Sequence, residues 1–431
     1  MTASDALAIA SAPLGPAVGE FRAPIAARPL RIVYLWDADY PWDVRTEKIC
    51  ATLTSAGHDV HIVARNRAWR ATEERLPEGT VHRMPPWRWA GQRADVLLGF
   101  PAFFSPRWRR LLDSVLRRVR PDVLIVRDLP LAPTAIAIAR RRHVPVVIDM
   151  AENYPAMMQM IFDARRQSMA DYLVRNPAAV AAVERYSIAR ADRVLVVIDE
   201  MAERLAHLGV ARERIDVVSN TPPRARAVEA PERQRPSPAE PITLVYLGLL
   251  EVPRGIAELI DAVALLRDEH TAVRCTIVGT GRDASLFHER ARTLGLGPEH
   301  VRFLGYVDRA TAMAAVRDAD IGVLPHHANE AWNTTIPNKL FDYMAVALPV
   351  ITSSVAPFAR IVRDTGAGDV FDAGDARSLA AAIRRLGPAD VRLARGSAGR
   401  RAVLDRFHWE HDTAVLLRAL DLAARSATAA R

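Results

Sequence analysis

A polar loop and the helix start that follows it, in the C-terminal half of the chain, contain residues able to hold a phosphorylated ligand. Thr334, Thr335 and Asn338 belong to this loop, Lys339 follows at the start of the helix, and Asp342 lies one turn further on. Helix N-termini bind phosphate because their first backbone N–H groups lack partners and the dipole is positive there. Lys339 would add a charge, and the Asp342 carboxylate could accept hydrogen bonds from a ribose diol. The spacing therefore predicts a nucleotide-sugar site.

The neighbouring apolar runs indicate which elements position these residues. Ile321 to Leu324 predicts a short buried strand, Pro337 the opening of a helix, and Leu348 to Ile351 a second strand. This order is half of a βαβ crossover.

The segment PNKLFDYMAVALPVI, from Pro337 onward, resembles the signature of the retaining GT-B glycosyltransferases of family four, in their bacterial surface-polysaccharide variety. That family usually carries an acid, seven residues, and a second acid just before a YMA or AMA triplet. Asp342 holds the place of the second acid, Thr334 stands where the first is usual, and Glu330 is a nearby alternative. The resemblance implies an α/β protein of two Rossmann-like, doubly wound domains that face each other across a cleft.

Two other loops support the same resemblance. GLLEVPRG, which begins at Gly248, is similar to the family's first loop of the second domain, where an arginine and a Lys-Gly pair usually bind the diphosphate. Arg254 occupies the lysine position and Leu249 the arginine position. The resemblance implies that Arg254 and Lys339 act as catalytic cations that stabilise the departing diphosphate without a metal ion or a cofactor. Simpler interpretations stay open: Lys339 could be a solvated surface residue, and Asp342 a partner of the helix dipole.

The glycine loop at Gly279 and Gly281 follows a predicted strand and precedes a predicted helix, as in a dinucleotide fingerprint. The next strand ends at Gly305 and Tyr306 with no acid to hold a ribose, which disfavours a nicotinamide-dependent dehydrogenase. The same loop resembles the family's IVGTG element. We therefore assign Gly248, Gly279, Gly281 and Tyr306 to donor binding, together with the polar loop.

Candidate acceptor-side residues follow the strands of the N-terminal half. Asp37, Asp39 and Arg45 lie after the first strand and Asp128 after a later one, where α/β proteins place ligands. Asp37 and Asp39 form an acid-x-acid pair that could suggest a metal site, but acceptor contact or simple loop solvation is the favoured interpretation. DMAENYP resembles the family's D-x-H-E element, but Ala151 replaces the histidine. Its glutamate, Glu152, remains as a third catalytic candidate that orients the acceptor or stabilises the reacting centre.

The excess positive charge is confined to the N-terminal half. The 431 residues carry a net charge of +8; residues 1–238 hold 35 basic and 27 acidic residues, and the remainder holds 23 of each. This asymmetry predicts an anionic partner. A segment from Trp87 to Arg120 interleaves arginines with aromatic residues, including Trp108, as interfacial helices do. Packing in the core is the alternative, and no nucleic-acid recognition module is visible.

The alternation of apolar runs and helical periods divides the chain into five predicted parts. These are a disordered tail (1–27), an acceptor-side domain (28–221), a proline-rich linker (222–241), a nucleotide-sugar domain (242–400) and a final helix that crosses back to the first domain (401–431). No apolar run approaches the ~18 residues that span a bilayer, and the tail lacks the basic start of a signal peptide. We expect a cytoplasmic protein that binds peripherally to the inner face of the membrane. Cys50 and Cys275 fall in different halves, so no disulfide is expected.

These observations predict a retaining glycosyltransferase that moves a sugar from a nucleotide-diphosphate sugar to a membrane-associated or polysaccharide acceptor in bacterial surface glycan synthesis. Thr334, Leu249 and Ala151 depart from the family pattern. A non-catalytic protein that binds a nucleotide sugar or a partner enzyme is therefore an alternative, and a nucleotide-sugar epimerase is another.

Overall fold

The computed structural model describes residues 28–41, 43–86, 103, 105–163, 176–232 and 240–429. Within these ranges the chain forms two compact units. One unit takes in the chain up to Ser219 together with the segment from Asp412 onward, and the other runs from Asn220 to His411. We call them the N-terminal and the C-terminal unit.

The described part of the N-terminal unit contains an eight-stranded sheet, parallel except at one edge. Its strands are β1 (Arg31–Leu35), β2 (Asp59–Ala64), β3 (Glu73–Leu76), β4 (Gly79–Arg83), β5 (Val123–Arg127), β6 (Val146–Met150), β7 (Arg193–Val196) and β8 (Ile215–Val217). They lie in the order β3-β4-β2-β1-β5-β6-β7-β8, with β3 antiparallel to β4. The helices are α1 (Val44–Ser55), α2 (Pro106–Val119), α3 (Ala132–Arg140), α4 (Tyr154–Asp163), α5 (Pro177–Ile188) and α6 (Asp199–His207).

The central strands β5 and β6 are buried along their whole length. Parallel sheets have helices on both faces, so such strands are nearly continuous apolar runs. The hairpin of β3 and β4 is not among the predicted elements. Its first strand, EERL, alternates exposed and half-buried residues, and therefore has no apolar run to reveal it.

The C-terminal unit contains, within the described residues, a six-stranded parallel sheet in the order β11-β10-β9-β12-β13-β14. The strands are β9 (Ile242–Leu247), β10 (Val273–Val278), β11 (Val301–Gly305), β12 (Ile321–Leu324), β13 (Val350–Ser353) and β14 (Gly368–Phe371). The helices are α7 (Arg224–Glu229), α8 (Ile256–Asp268), α9 (Ala284–Thr293), α10 (Arg309–Arg317), α11 (Asn338–Ala345), α12 (Ala356–Thr365), α13 (Ala376–Arg385) and α14 (Ala389–Asp405). Helix α15 (Trp409–Ala429) begins in this unit and continues into the N-terminal one.

Two parts of the predicted organisation differ in detail from the structure. The segment 222–241, predicted as a linker, contains helix α7, whose Arg226 forms an ion pair with Asp342. The segment 401–431 is not a single helix, because α14 ends at Asp405 and α15 begins at Trp409. The predicted tail, 1–27, lies outside the described residues. Cys50 and Cys275 are both buried and free.

Trp108 was predicted to belong to an interfacial segment, and that prediction is wrong. Helix α2 turns Trp108, Leu112 and Leu116 into the core, where Trp108 is 0% exposed. The Arg65 guanidinium lies 5.7 Å from its ring centroid. Core packing, the alternative interpretation, therefore describes this residue. Trp87, Trp89 and Phe104 lie outside the described residues.

In the described part of the chain, no helix combines the length and the apolar character needed to cross a membrane.

Candidate active site

The predicted donor residues gather at one edge of the C-terminal sheet. The loops after β9, β10, β11 and β12 all leave the carboxyl ends of parallel strands, so they share an edge of the sheet. This edge carries the GLLEVPRG loop, the glycine loop, Tyr306 and the polar loop before α11. Tyr306 is 63% exposed there.

The glycine loop packs against the loop after β9. A Cβ atom on Gly279, whose φ is +134°, would lie 1.9 Å from the Gly248 carbonyl oxygen, and one on Gly281 would lie 2.3 Å from that of Leu250. The Leu250 N–H donates to the Thr280 carbonyl at 3.0 Å. Glycine is therefore required by this close backbone approach, whatever ligand the edge binds. The structure gives Gly279 and Gly281 a supporting role beneath the loop that leads to Arg254.

Arg254 ends a 3₁₀ turn (Val252–Arg254) that rests on the end of β12. The next residue, Gly255, has a φ of +68°, and a Cβ atom there would lie 1.8 Å from the Pro325 carbonyl oxygen. The Arg254 guanidinium lies 5.1 Å from the ring centroid of Trp332. Its nearest carboxylate is that of Glu251, at 3.8 Å from Nε. The cation is thus held chiefly by an aromatic ring, which leaves its charge available to an anion.

Helix α11 begins where the sequence predicts it, with Pro337 as its N-cap residue. Lys339 Nζ lies 3.1 Å from Asp342 Oδ2, and the other carboxylate oxygen of Asp342 accepts a hydrogen bond from Arg226 Nη1. Asp342 is only 7% exposed. The candidate ribose acceptor therefore already has two cationic partners, and one of them comes from the predicted linker.

Thr334 and Thr335, the polar residues before this helix, are both buried. The Thr334 hydroxyl donates to the backbone carbonyl oxygen of Glu330 at 2.8 Å. Thr334 therefore stabilises the turn in which it lies. Asn338 is the first residue of α11, where the backbone N–H groups are free of intrahelical partners.

Sequence reasoning missed an aromatic cluster behind Arg254. The His326 ring lies edge-on to Trp332, with centroids 4.4 Å apart, and edge-on to Phe358, at 5.4 Å. His326 is 1% exposed. Burial, and next the charge of Arg254, lowers the pKa of His326 well below its usual value, so the imidazole is neutral. The only signal in the sequence was an aromatic residue within the polar loop.

A second pair at this edge was also missed. His327 Nε2 lies 3.0 Å from Glu258 Oε1, and the His327 N–H donates to the Pro253 carbonyl at 3.0 Å. The hydrogen bond to Glu258 raises the pKa of His327. These contacts join β12 to α8 and to the turn that carries Arg254.

The corresponding edge of the N-terminal sheet has a different character, because its charges are buried and paired. Arg45, expected to face an acceptor, is 1% exposed; its Nη2 lies 2.6 Å from Asp149 Oδ1, and its Nη1 donates to the Val218 carbonyl at 2.8 Å. Asp149 also accepts from the Tyr34 hydroxyl at 2.8 Å and lies 3.4 Å from Arg127. Burial favours the protonated form, but the charges of Arg45 and Arg127 hold the pKa of Asp149 below its usual range. The structure thus places Arg45 in a buried network around a residue that the sequence analysis did not single out.

The other acceptor-side candidates lie around this network. Asp128 has a φ of +57°, accepts a hydrogen bond from the Ala151 N–H at 3.0 Å and lies 3.2 Å from Arg127 Nε. Burial raises its pKa to about 6, against the lowering effect of Arg127. Burial raises the pKa of Tyr154 well above its usual value. The negative charge of Asp128, and more weakly those of Glu152 and Asp37, act in the same direction, so these carboxylates lie near the Tyr154 hydroxyl.

The two aspartates of the first loop have structural partners. Asp37 Oδ1 lies 2.5 Å from Arg65 Nε, and Asp39 accepts from the Arg67 N–H at 2.7 Å. Within the described ranges, no three His, Cys, Asp or Glu side chains come together in a way that could hold a metal ion.

Comparison with protein families finds glycosyltransferase relatives in both units. Residues 241–387 match the family model described as "Glycosyl transferases group 1", and residues 43–221 match the one described as "Glycosyl transferase 4-like domain".

Three curated relatives illustrate the range of matching proteins. A phosphatidyl-myo-inositol mannosyltransferase of Mycobacterium leprae is 33% identical over 43% of this chain, a match that covers 47% of that protein. A glycogen synthase of Mycobacterium tuberculosis is 28% identical over 84% of this chain and 86% of its own length. A putative colanic acid biosynthesis glycosyltransferase, WcaL of Escherichia coli, is 27% identical over 47% of this chain and 49% of its own. The chain thus spans about half the length of the mannosyltransferase and WcaL that it matches.

Solved structures share the fold across most of the chain. The sucrose-phosphate synthase of Thermosynechococcus elongatus aligns over 93% of this chain and 100% of its own, with a TM-score of 0.70 and 16% identity. The Anabaena protein HepE, solved in complex with UDP and glucose, aligns over 91% of this chain and 99% of its own, with a TM-score of 0.64 and 14% identity. At such identities the likeness establishes the fold alone.

Proposed function

Because the chain belongs to the group 1 glycosyltransferases and has the GT-B fold, we propose that it is a retaining transferase that uses a nucleotide-diphosphate sugar as donor. The acceptor in this proposal is a membrane-associated or polysaccharide molecule of a bacterial surface glycan. Relatives named for phosphatidyl-inositol mannosylation and colanic acid biosynthesis support this acceptor class.

The observation that carries the proposal is the placement of cations at the carboxyl edge of the C-terminal sheet. Arg254 lies on the loop after β9, and Lys339 lies at the start of α11. The first backbone N–H groups of α11 belong to the same edge, because the helix follows the loop after β12. A diphosphate is an anion whose charge grows as the bond to the sugar breaks. Fixed cations and a helix N-terminus stabilise that charge more strongly in the transition state than in the bound donor.

In the proposed reaction the C-terminal unit stabilises the leaving group through these cations and the start of α11. The bond between the sugar C1 and the diphosphate oxygen breaks, and the diphosphate leaves with the electron pair. The acceptor oxygen forms the new bond on the same face of the sugar, and its proton passes to an oxygen of the departing diphosphate. Arg254 and Lys339 supply the positive charge, so we propose that turnover does not require an added metal ion or cofactor.

The roles of Asp342 and Glu152 in this proposal rest on their positions. A carboxylate has about four lone-pair positions, so Asp342 can accept ribose hydroxyls while it pairs with Lys339 and Arg226. Glu152 is the second residue after β6 and would orient the acceptor. Asp37, Asp39 and Asp128 would form the polar surroundings of that acceptor, whereas Arg45 would act through Asp149.

We also propose that the chain works at the inner face of the cytoplasmic membrane. With Trp108 in the core, the support for this is electrostatic: the net charge of +8 belongs to residues 1–238. Exposed arginines of α2, such as Arg109 and Arg110, would contact anionic lipids.

One observation favours a second candidate, a non-catalytic nucleotide-sugar-binding protein. Leu249, at the position where relatives would have an arginine, is 5% exposed, so no cation replaces the missing one at that point of the loop. A chain that binds a nucleotide sugar but does not turn it over would show this second function.

The first test is a thermal-shift screen of the full chain with UDP, GDP and ADP and with the common sugars of each. A ligand that binds only the folded chain raises its melting temperature, so the screen identifies the base and the sugar together. We then expect release of the diphosphate when the identified donor is mixed with membrane extract, both with and without EDTA. Loss of turnover in EDTA, restored by magnesium or manganese, would contradict the metal-free mechanism. Absence of any shift would contradict the donor class.

A further inference from the structure

The Arg254 guanidinium lies over the ring of Trp332. Trp332 begins a 3₁₀ turn (Trp332–Thr334) in the loop after β12, and its ring centroid lies 5.1 Å from Arg254 Cζ. The two residues are 78 positions apart and come from loops after different strands. A guanidinium is flat and weakly hydrated, so it packs on an aromatic face, which a lysine ammonium does less well.

The ring itself is held from behind. His326 and Phe358 contact Trp332 edge-on, at centroid distances of 4.4 Å and 6.1 Å. Both are buried, and the backbone N–H of Trp332 donates to Asn329 Oδ1 at 2.9 Å, which fixes the turn that carries the ring. The pKa of His326 lies well below its usual value, because of burial and then of Arg254, so no second positive charge competes for the ring. This support leaves Trp332 little freedom to move away.

The other neighbours of Arg254 are consistent with a cation held in one orientation for an anion. The Tyr246 hydroxyl donates to the Leu249 carbonyl at 2.7 Å, and its oxygen can then accept from Arg254. Burial raises the pKa of Tyr246 to about 12, although the charge of Arg254 and a hydrogen bond from it act in the opposite direction. The carboxylate of Glu251, at 3.8 Å from Nε, is too far for a direct hydrogen bond.

We propose that Trp332 is a positioning residue for donor binding: it holds the Arg254 guanidinium in place, so that this cation meets the diphosphate of the donor. This inference rests on the proposed function. The inference concerns Trp332 and Arg254 as a pair. The Trp332 ring can pack against an arginine at position 254, and a lysine at that position would lose this packing. Trp332 therefore contributes to diphosphate affinity only through Arg254.

The test is a double-mutant cycle on the full chain, read by calorimetric titration. The probes are UDP, GDP and ADP, each compared with its own nucleoside. Trp332→Leu should weaken binding of the preferred diphosphate about five- to tenfold, the scale of a partly desolvated cation–π contact, and leave nucleoside binding unchanged. Trp332→Phe keeps a ring and should stay within about twofold of wild type. In an Arg254→Met background, Trp332→Leu should have no further effect.

Phe303→Leu is the matched control, because it removes an aromatic ring that packs against His288 at 4.0 Å rather than against Arg254. It should not change the ratio of diphosphate to nucleoside affinity. Thermal melting of each variant shows whether it is folded. If Trp332→Leu is not, Arg254→Lys, which keeps the charge but loses the packing on the ring, should weaken diphosphate binding and leave nucleoside binding unchanged. An equal loss of nucleoside and diphosphate affinity in Trp332→Leu, or an undiminished loss in the Arg254→Met background, would overturn the inference. A wild-type chain that binds none of the three diphosphates would instead overturn the proposed function.

Discussion

The two sheets place charged residues at their carboxyl edges in opposite ways. In the N-terminal unit, Arg45 and Asp149 are buried and paired to each other, with side chains 2% and 0% exposed. In the C-terminal unit, Arg254 and Lys339 keep about a fifth of their side chains exposed. Buried pairs fix the position of loops, whereas partly exposed cations keep charge for a ligand. A charged residue at the end of a strand can therefore serve either purpose, and only its partners distinguish them.

The largest expected effect concerns the buried pair. Asp149→Ala should destabilise the N-terminal unit by about 3 to 5 kcal/mol, because it leaves the Arg45 guanidinium buried without a counter-charge. Urea unfolding measures the change. The double variant Arg45→Met with Asp149→Leu should recover much of the loss, since apolar replacement of a buried pair is often neutral. Equal stability of Asp149→Ala and wild type would show that this network does not hold the edge.

The second effect is a pH dependence of the stability of the folded chain, caused by His82 at the contact between β2 and β4. The Arg118 N–H donates to His82 Nδ1 at 2.8 Å, and His82 Nε2 lies 3.0 Å from His61 Nδ1, so His82 is neutral. Burial, then His61, lowers the pKa of His82 to about 4. The unfolded chain takes up this proton near pH 6.5 and the folded chain does so only near 4, so stability should fall as pH drops through this window, by up to about 3 kcal/mol.

The check is chemical unfolding of wild type and His82→Gln at pH 7 and pH 4.5. A glutamine side chain can accept a hydrogen bond from Arg118 and donate one to His61 without titrating. The stability of the His82→Gln variant should therefore fall less than that of wild type over the same pH window. If wild type and His82→Gln lose the same amount of stability between pH 7 and pH 4.5, the pH dependence belongs to other groups.

A third prediction addresses the exposed edge. Asp342→Ala should weaken nucleotide binding by about 1.5 to 3 kcal/mol, the scale of hydrogen bonds to a charged group, while the chain stays folded. Arg226→Met is the informative partner variant: it removes one cation from Asp342 and should not weaken nucleotide binding. Unchanged affinity in a folded Asp342→Ala chain, measured by calorimetry, would remove Asp342 from the donor site.

These cases show what the sequence could and could not predict. Apolar runs located buried strands well, as at Ile321–Leu324. The hairpin strand Glu73–Leu76 escaped because it is half exposed and charged. The polar loop was found through local spacing, and Arg254 through the resemblance of its loop to that of the family. The pairing of Arg226 with Asp342, in contrast, joins residues 116 positions apart. No local pattern encodes such a contact, and the same is true of Trp332 with Arg254.

The smallest expected effect concerns the membrane. The full chain should bind vesicles of anionic lipid more than neutral ones, and less as salt rises, because the attraction fades over about 10 Å at 0.1 M salt. Replacing Arg109 and Arg110 by Gln should weaken binding by about 1 kcal/mol per residue. Arg292→Gln, an exposed arginine of the C-terminal unit, is the control. Equal sedimentation with neutral and anionic vesicles would favour a soluble acceptor.

The central claim is that the C-terminal edge stabilises the departing diphosphate. It is tested most directly by comparing turnover and donor affinity in wild type and Lys339→Met, with the donor identified by the thermal-shift screen. Charge on the diphosphate grows in the transition state, so kcat should fall by a larger factor than the donor Kd rises. Full turnover in Lys339→Met would make Lys339 a surface residue and contradict the account.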